Sequence, residues 1–239
     1  MHLRLRLSSA LPATLQMMAG LCAFAIAAVG NAQTVLPHGD AMAAAMHGMA
    51  PATLPLDRKL PPEKLARMLR HGGYVILMRH ASSPNTLPDA ASADPDNQRG
   101  ERQLDATGLA DARAFGAGLR RLHIPLGAVF TSPTFRARET LREAGITGLQ
   151  ALDFLDIRAI PGQPQTLADI DATRNLLSAR PRQGTDTLVV THFPNITSQF
   201  PEEGRSLREG DMLVLAPTHG GVRVVGAMAI GDWSRLGTH

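Results

Sequence analysis

The chain of 239 residues is 44% apolar and 19% charged, enough apolar content for one good-sized core and too much for a wholly disordered polypeptide. Its formal charge is +3; two of its 24 basic residues, Arg4 and Arg6, and none of its 21 acidic ones fall in the first 32 positions, which leaves 22 against 21, a charge of +1. That balance gives nucleic-acid binding no support.

Residues 1–32 read as a secretory signal peptide. Arg4 and Arg6 precede the mostly apolar Leu11 to Val29, and Gly30-Asn31-Ala32 closes the segment in a small-x-small pattern. A retained membrane anchor is the alternative, but Pro12, Thr14 and Gln16 interrupt the apolar stretch. Bulky Leu21 before Cys22 argues against a lipoprotein site. Cleavage removes Cys22, the sole cysteine, so neither a disulfide nor thiol chemistry is expected in a mature chain that is secreted or periplasmic. Residues 33–57, rich in Ala, Met and Pro, read as a flexible tether. Their His38, Met42, Met46, His47 and Met49 also suit copper, although a low-complexity linker is the plainer reading. The remaining 58–239 are expected to form the functional domain.

Pro61 to Arg70 predicts a short helix with Leu65, Met68 and Leu69 on one face, ended by Gly72-Gly73. Tyr74-Val-Ile-Leu-Met-Arg79 is a buried-strand pattern closed by Arg79 and His80. A polar loop covers 81–103, and Asp105 can cap a helix running to about Arg121. Pro125 to Phe130 reads as a second strand. Ser132-Pro133 then reads as the cap and first turn of another helix. A weaker strand at 150–154, a helix over 167–178 and a strand at 187–191 follow. Met212 to Ala216 and Val222 to Ala229 predict a closing hairpin or antiparallel edge. Strands alternating with helices imply an α/β domain, its mostly parallel sheet covered on both faces.

Two strands thus end in polar heads, Arg79-His80 and Thr191-His192. Ligands bind at the carboxyl ends of strands in open α/β sheets. A guanidinium beside an imidazole there suits gripping and attacking an anion, because arginine offers planar, paired donors to phosphate oxygens. Arg136, near the start of a predicted helix whose N-terminus itself favours anions, is a second candidate. Arg102 is a third.

These residues carry a resemblance. Arg79-His80-Ala81 after a strand resembles the Arg-His-Gly signature of the histidine phosphatase (phosphoglycerate mutase-like) superfamily. Ser132-Pro133-Thr134-Phe135-Arg136-Ala137-Arg138-Glu139-Thr140 matches its Ser-Pro-x-x-Arg-Ala-x-x-Thr motif, and Val189 to Ile196, through His192, is similar to its third. Arg102 to Gly108 resembles the segment before the family's first long helix, so that the likeness runs from about Tyr74 to Pro217. The literal tripeptide Arg70-His71-Gly72 precedes the strand, and basic residues with a left-handed glycine at a helix end account for it.

The resemblance implies a three-layer α/β/α sandwich of phosphoglycerate mutase-like type and a hydrolase that needs no metal or other cofactor. In it His80 is the nucleophile that becomes a phosphohistidine, Arg79 and Arg136 bind phosphate, and His192 donates to the transition-state oxygens. Arg102, Ser83 and Asn195 occupy further phosphate-binding positions. The proton donor departs from the family pattern. Where one branch has a glutamate, this chain has only Asp153 and Asp156, and where the other has an acid after the second histidine it has Phe193. Asp156 is the best candidate, with Glu101, Glu202 and Glu203 behind it. Expected substrates are small-molecule or glycolipid phosphates, or protein phosphohistidine. A phosphate-binding module without turnover, or an exported metal-binding protein using the tether, are the competing readings.

Overall fold

The computed structural model describes residues 60–157 and 165–237; the signal-peptide and tether expectations for 1–32 and 33–57 lie outside them. The elements in order are α1 (Pro62–Leu69), β1 (Val75–Arg79), α2 (Ala106–Arg121), β2 (Leu126–Thr131), α3 (Phe135–Glu143), β3 (Gln150–Ala151) and a 3-10 turn (Asp153–Leu155). Then come α4 (Leu167–Ser178), β4 (Asp186–Thr191), α5 (Phe193–Gln199), α6 (Pro201–Gly204), β5 (Met212–Thr218), β6 (Gly221–Met228) and α7 (Asp232–Arg235).

The six strands form one sheet in the order β3-β2-β4-β1-β5-β6. β1 and β2 both run parallel to β4, and β3 parallel to β2. β5 lies antiparallel to β1 and to β6. The sheet is therefore mostly parallel, with one reversed strand. Its two faces explain the uninterrupted apolar runs. Val75 and Leu77 of β1, with Val189 of β4, pack against Leu177 of α4 and Ile196 of α5. Ile76 and Met78, with Leu188 and Val190, pack on the other side against α1, α2 and α3 through Leu69, Phe115 and Leu141. Helices on both faces make three layers.

Local signals in the sequence account for much of this. Asp105 caps α2, accepting from the Gly108 N–H at 2.7 Å, and its other oxygen accepts from Ser82 Oγ at 2.8 Å. A Cβ at Gly108 would lie 2.1 Å from the Ser82 carbonyl oxygen, so only glycine lets α2 sit this close to the loop after β1. Gly72 adopts φ +73 at the end of α1, the left-handed stop expected of it.

Two expectations need correction. Ser132 does not cap α3. The helix begins at Phe135 after Thr134, whose side chain makes no cap; Ser132 Oγ accepts from the Thr134 N–H at 3.3 Å, one residue before the helix, and meets His192 Nε2 at 2.8 Å. The strand expected over 150–154 is only Gln150–Ala151, and the chain then tightens into the 3-10 turn, where the Leu155 carbonyl accepts from Thr191 Oγ1 at 3.1 Å. The short α6 and α7 have no repeating apolar period and are not legible in advance.

At the far end of β4 from His192, Asp186 is fully buried. One of its oxygens accepts from the Tyr74 N–H at 2.9 Å, and the other has no partner. Burial pushes its carboxyl up to about 7, the Tyr74 bond opposing. The folded state thus holds this proton more tightly than the unfolded chain, so its stabilising contribution is full below the unfolded value near 4 and is lost as pH rises to 7 and beyond. Asp186→Asn keeps the bond to Tyr74 and removes the titration. Each tenfold difference in proton affinity between the folded and unfolded states is worth about 1.4 kcal/mol. Between pH 5 and 8 the wild type should therefore lose a few kcal/mol of stability relative to the variant, read by denaturant unfolding. Parallel pH profiles would refute this.

Candidate active site

The sheet register assembles the site. Arg79 of β1 is the Cα partner of Thr191 of β4, and Thr131 of β2 is the partner of Val190. β2, β4 and β1 are neighbours, so the residues just past their ends, Ser132, His192 and His80, stand in one row. Backbone bonds extend the ladder to them: His80 N–H donates to Thr191 O at 3.0 Å and Ser132 N–H to Val190 O at 2.9 Å.

The imidazoles of His80 and His192 face each other edge to face, centroids 5.2 Å apart. Arg136, in the first turn of α3, lies between them. Its Nε donates to His80 Nε2 at 3.2 Å and its Nη2 meets His192 Nδ1 at 3.2 Å. A guanidinium only donates, so both of these ring nitrogens present lone pairs. His80 therefore carries its proton on Nδ1 and donates it to Ala81 O at 2.8 Å. His192 carries its proton on Nε2, which reaches Ser132 Oγ at 2.8 Å and Thr134 Oγ1 at 3.2 Å. All three side chains of this bridge are buried: His80 is 3% exposed, Arg136 7% and His192 0%.

Electrostatics hold the imidazoles neutral. Burial is the largest cause lowering His80 to about 3; Arg136, Arg79 and Arg102 add to it and the Ala81 bond opposes. The charges of the neighbouring guanidiniums are thus secondary to dehydration. Burial likewise drives His192 well below its ordinary value, with Arg136 next. Arg136 itself falls to about 10, chiefly by burial, while Glu101, Asp156 and Glu209 resist that shift. It stays cationic at neutral pH.

Thr140, the last position of the Ser-Pro motif, has a geometric role. Its hydroxyl accepts from the Ala81 N–H at 3.1 Å and donates to Arg136 O at 2.8 Å, clamping the turn after His80 to the helix that bears Arg136. Ala81 has no positive φ, so the position does not require glycine.

The other expected residues divide. Arg79 donates through Nη2 to Glu209 Oε1 at 3.0 Å and through Nη1 to Leu207 O at 3.2 Å, and its guanidinium lies 5.5 Å from the ring centre of Phe193. Its Nε is buried without a partner. Arg102 donates to Pro84 O at 2.7 Å and Ser83 O at 2.6 Å, which makes it a loop tie. The Ser83 hydroxyl is committed to Gln103 O at 2.9 Å; only its backbone N–H, 3.0 Å from Glu209 Oε2, belongs to the arginine network. Asn195 is 0% exposed, and neither polar atom of its amide has a hydrogen-bond partner.

Asp156 follows the 3-10 turn. One of its carboxylate oxygens is buried without a partner, and burial raises its pKa, Glu101 adding and Arg136 opposing. Glu101 accepts from the Phe135 N–H at 2.8 Å, at the N-terminus of α3, where a carboxylate is favoured. Asp153 is exposed within the turn, Glu202 pairs with Arg205 at 3.7 Å, and Glu203 is buried in α6. Arg70 and His71 are exposed beyond α1, before β1 and so at the opposite end of that strand from His80. Among the described residues no cluster of His, Cys, Asp or Glu could hold a metal ion. The His38/Met42/Met46/His47/Met49 set lies outside them.

Sequence reasoning missed Ser132, Thr134 and Glu209. The Ser-Pro motif carried the signal for the first two, but a serine before a helix reads first as a cap. Glu209 had no signal, since one glutamate in a loop is unremarkable until two arginines and a backbone N–H are found around it.

Comparison with known proteins agrees with this arrangement. Residues 75–154, from β1 through the 3-10 turn, match the family model of the histidine phosphatase superfamily (branch 1). No curated protein sequence matches significantly. Similar solved structures include the protein histidine phosphatase SixA complexed with tungstate, at 20% identity over 66% of this chain and 98% of that one, TM-score 0.48. A putative phosphohistidine phosphatase SixA from Nakamurella multipartitia aligns at 25% identity over 69% and 91%, TM-score 0.43. Phosphoserine phosphatase from Entamoeba histolytica, in complex with 3-phosphoglyceric acid, aligns at 13% over 65% and 96%, TM-score 0.43. Over residues 75–154 the chain resembles the histidine phosphatase superfamily (branch 1), in keeping with the motif order and the strand-end row.

Proposed function

We propose that this protein is an exported phosphatase that hydrolyses phosphomonoesters, or phosphohistidine, through a phosphohistidine formed on His80. The observation that carries the reading is the tautomer imposed on His80. Nδ1–H is tied to Ala81 O, and the Nε2 lone pair is turned toward Arg136, which also bridges to His192. A neutral imidazole with an unprotonated Nε2 is a nucleophile once phosphate takes the place of its Arg136 contact, and its low pKa keeps it neutral at any physiological pH.

In the first step Nε2 attacks phosphorus in line with the ester oxygen. The N–P bond forms, the P–O bond breaks, and the leaving oxygen takes a proton from Asp156. The guanidiniums of Arg136 and Arg79 and the amide of Asn195 hold the equatorial oxygens. His192 donates its Nε2 proton to them by exchanging Ser132 for phosphate. In the second step water attacks phosphorus, Asp156 accepts the water proton, and the N–P bond breaks to return neutral His80 and inorganic phosphate. Cationic side chains supply the charge stabilisation, so turnover should persist in EDTA. Export rests on the sequence of residues 1–32, and an extracytoplasmic phosphate ester or protein phosphohistidine is the matching substrate.

The experiment pairs two leaving groups. Wild-type protein should hydrolyse both p-nitrophenyl phosphate and an alkyl phosphate; background turnover of both would favour a non-catalytic phosphate binder. Asp156→Asn should spare p-nitrophenyl phosphate, whose phenolate leaves without a proton, and slow the alkyl ester by about 10²-fold or more. Because the acid must be protonated for the first step, wild-type rates on the alkyl ester should fall as pH rises through the raised Asp156 pKa, and the Asn variant should lack that limb. An unchanged alkyl-ester rate would remove Asp156 as donor.

A further inference from the structure

The segment before β5 contributes a group that the phosphatase reading does not use. Glu209 Oε1 accepts from Arg79 Nη2 at 3.0 Å and lies 3.7 Å from Arg102 Nη2, while Oε2 accepts from the Ser83 N–H at 3.0 Å. Leu207 O takes Arg79 Nη1 at 3.2 Å. Each terminal nitrogen of Arg79 therefore commits one of its two N–H groups to the stretch 207–209. Its Nε is buried and unpartnered. The backbone fixes this stretch to the nucleophile itself, because Gly210 N–H donates to His80 O at 2.8 Å and Arg79 N–H to Asp211 O at 3.0 Å.

We infer that Glu209 is a positioning residue. It orients the arginine adjacent to the nucleophile so that its unpartnered Nε–H, with the remaining N–H of each terminal nitrogen, is held in place for phosphoryl oxygens, and it ties down the loop bearing Ser83 and Arg102. A long arginine side chain has many rotamers, and a carboxylate with Leu207 O restricts them before substrate arrives, which is how a cradle becomes preorganised. Its hydrogen bonds go to Arg79 and Ser83, and the donors between the two imidazoles come from Arg136. This inference rests on the phosphatase reading of the site.

The test compares wild type, Glu209→Gln and Glu209→Ala in p-nitrophenyl phosphate kinetics, orthovanadate binding by calorimetry and thermal unfolding. Glu209→Ala should lower kcat/KM and weaken orthovanadate by about 10- to 10²-fold, the scale of a misplaced cradle group, with an unfolding temperature close to wild type. Glu209→Gln, which keeps an oxygen acceptor for Arg79 or Ser83, should recover part of both losses. Parameters within twofold of wild type would overturn the inference. So would tighter orthovanadate binding in Glu209→Ala, since removing a competing negative charge, not losing a positioning group, gives that result. A loss matched by a large fall in unfolding temperature and not eased in Glu209→Gln would also overturn it, as a purely structural effect. If the wild type proves inactive, the phosphatase reading fails by that result alone, and the ratio of orthovanadate affinities still decides the role of Glu209.

Discussion

His80→Ala is expected to reduce phosphatase turnover to background, a loss of about 10⁴-fold or more for removal of a covalent nucleophile. Wild-type protein mixed with radiolabelled substrate and denatured in alkali, where the N–P bond survives, should carry the label on His80. The size of the effect follows from the absence of a substitute within reach. His192 lies next door, but its proton sits on Nε2, facing the Ser132 and Thr134 hydroxyls, so the ring is set to donate. The variant leaves Arg136 Nε and Ala81 O without their partners in a buried place, which costs stability. A circular dichroism spectrum and unfolding temperature separate that cost from the chemical one. Label recovered on His192 or any other side chain would refute the assignment of His80.

Arg136→Ala is the second large effect, on the order of 10²- to 10³-fold in rate, as for loss of one preorganised donor to a developing charge. Arg136 is the group through which the two imidazoles communicate, so its removal frees both ring nitrogens and vacates the phosphate cradle together. Lysine should rescue little. A single ammonium on a flexible stem cannot reproduce Nε to His80 and Nη2 to His192 at once. The pH profile adds a check with a definite sign. Loss of the guanidinium raises the His80 pKa from about 3, but burial, the largest cause of the shift, remains. The nucleophile should therefore still be neutral at pH 7, and raising the pH should not restore the rate. A near-wild-type rate would exclude Arg136 from the site.

What the sequence makes legible here depends on how local its cause is. The apolar runs Val75–Met78 and Leu188–Val190 stand out because both faces of those strands are buried. Asp105 and Gly72 act on their own helix ends, within a few residues, and are readable for that reason. Arg70-His71-Gly72 against Arg79-His80-Ala81 shows that placement after a strand outweighs identity of letters. The partners of Ser132 and Glu209, by contrast, are set by the pairing of strands distant in the chain. Ser132 meets His192 because β2 and β4 are hydrogen-bonded in one particular register, and no periodicity within either segment encodes that. The early end of β3 is hidden for the same reason, since Thr191 draws the Leu155 carbonyl into a turn.

The reversed direction of β5 has a consequence for how such a pocket can change. Parallel strands bring the residues that follow them to this edge, and after β2 and β4 those residues run almost at once into α3 and α5. A strand running the other way brings the residues that precede it, here 205–211, which are anchored at Leu207 and Gly210. Between those anchors, Arg208 is exposed. That position, with exposed Arg205 and Ser206 before it, is where charge can drift while Glu209 keeps its hold on Arg79 and the hydrocarbon interior stays as it is.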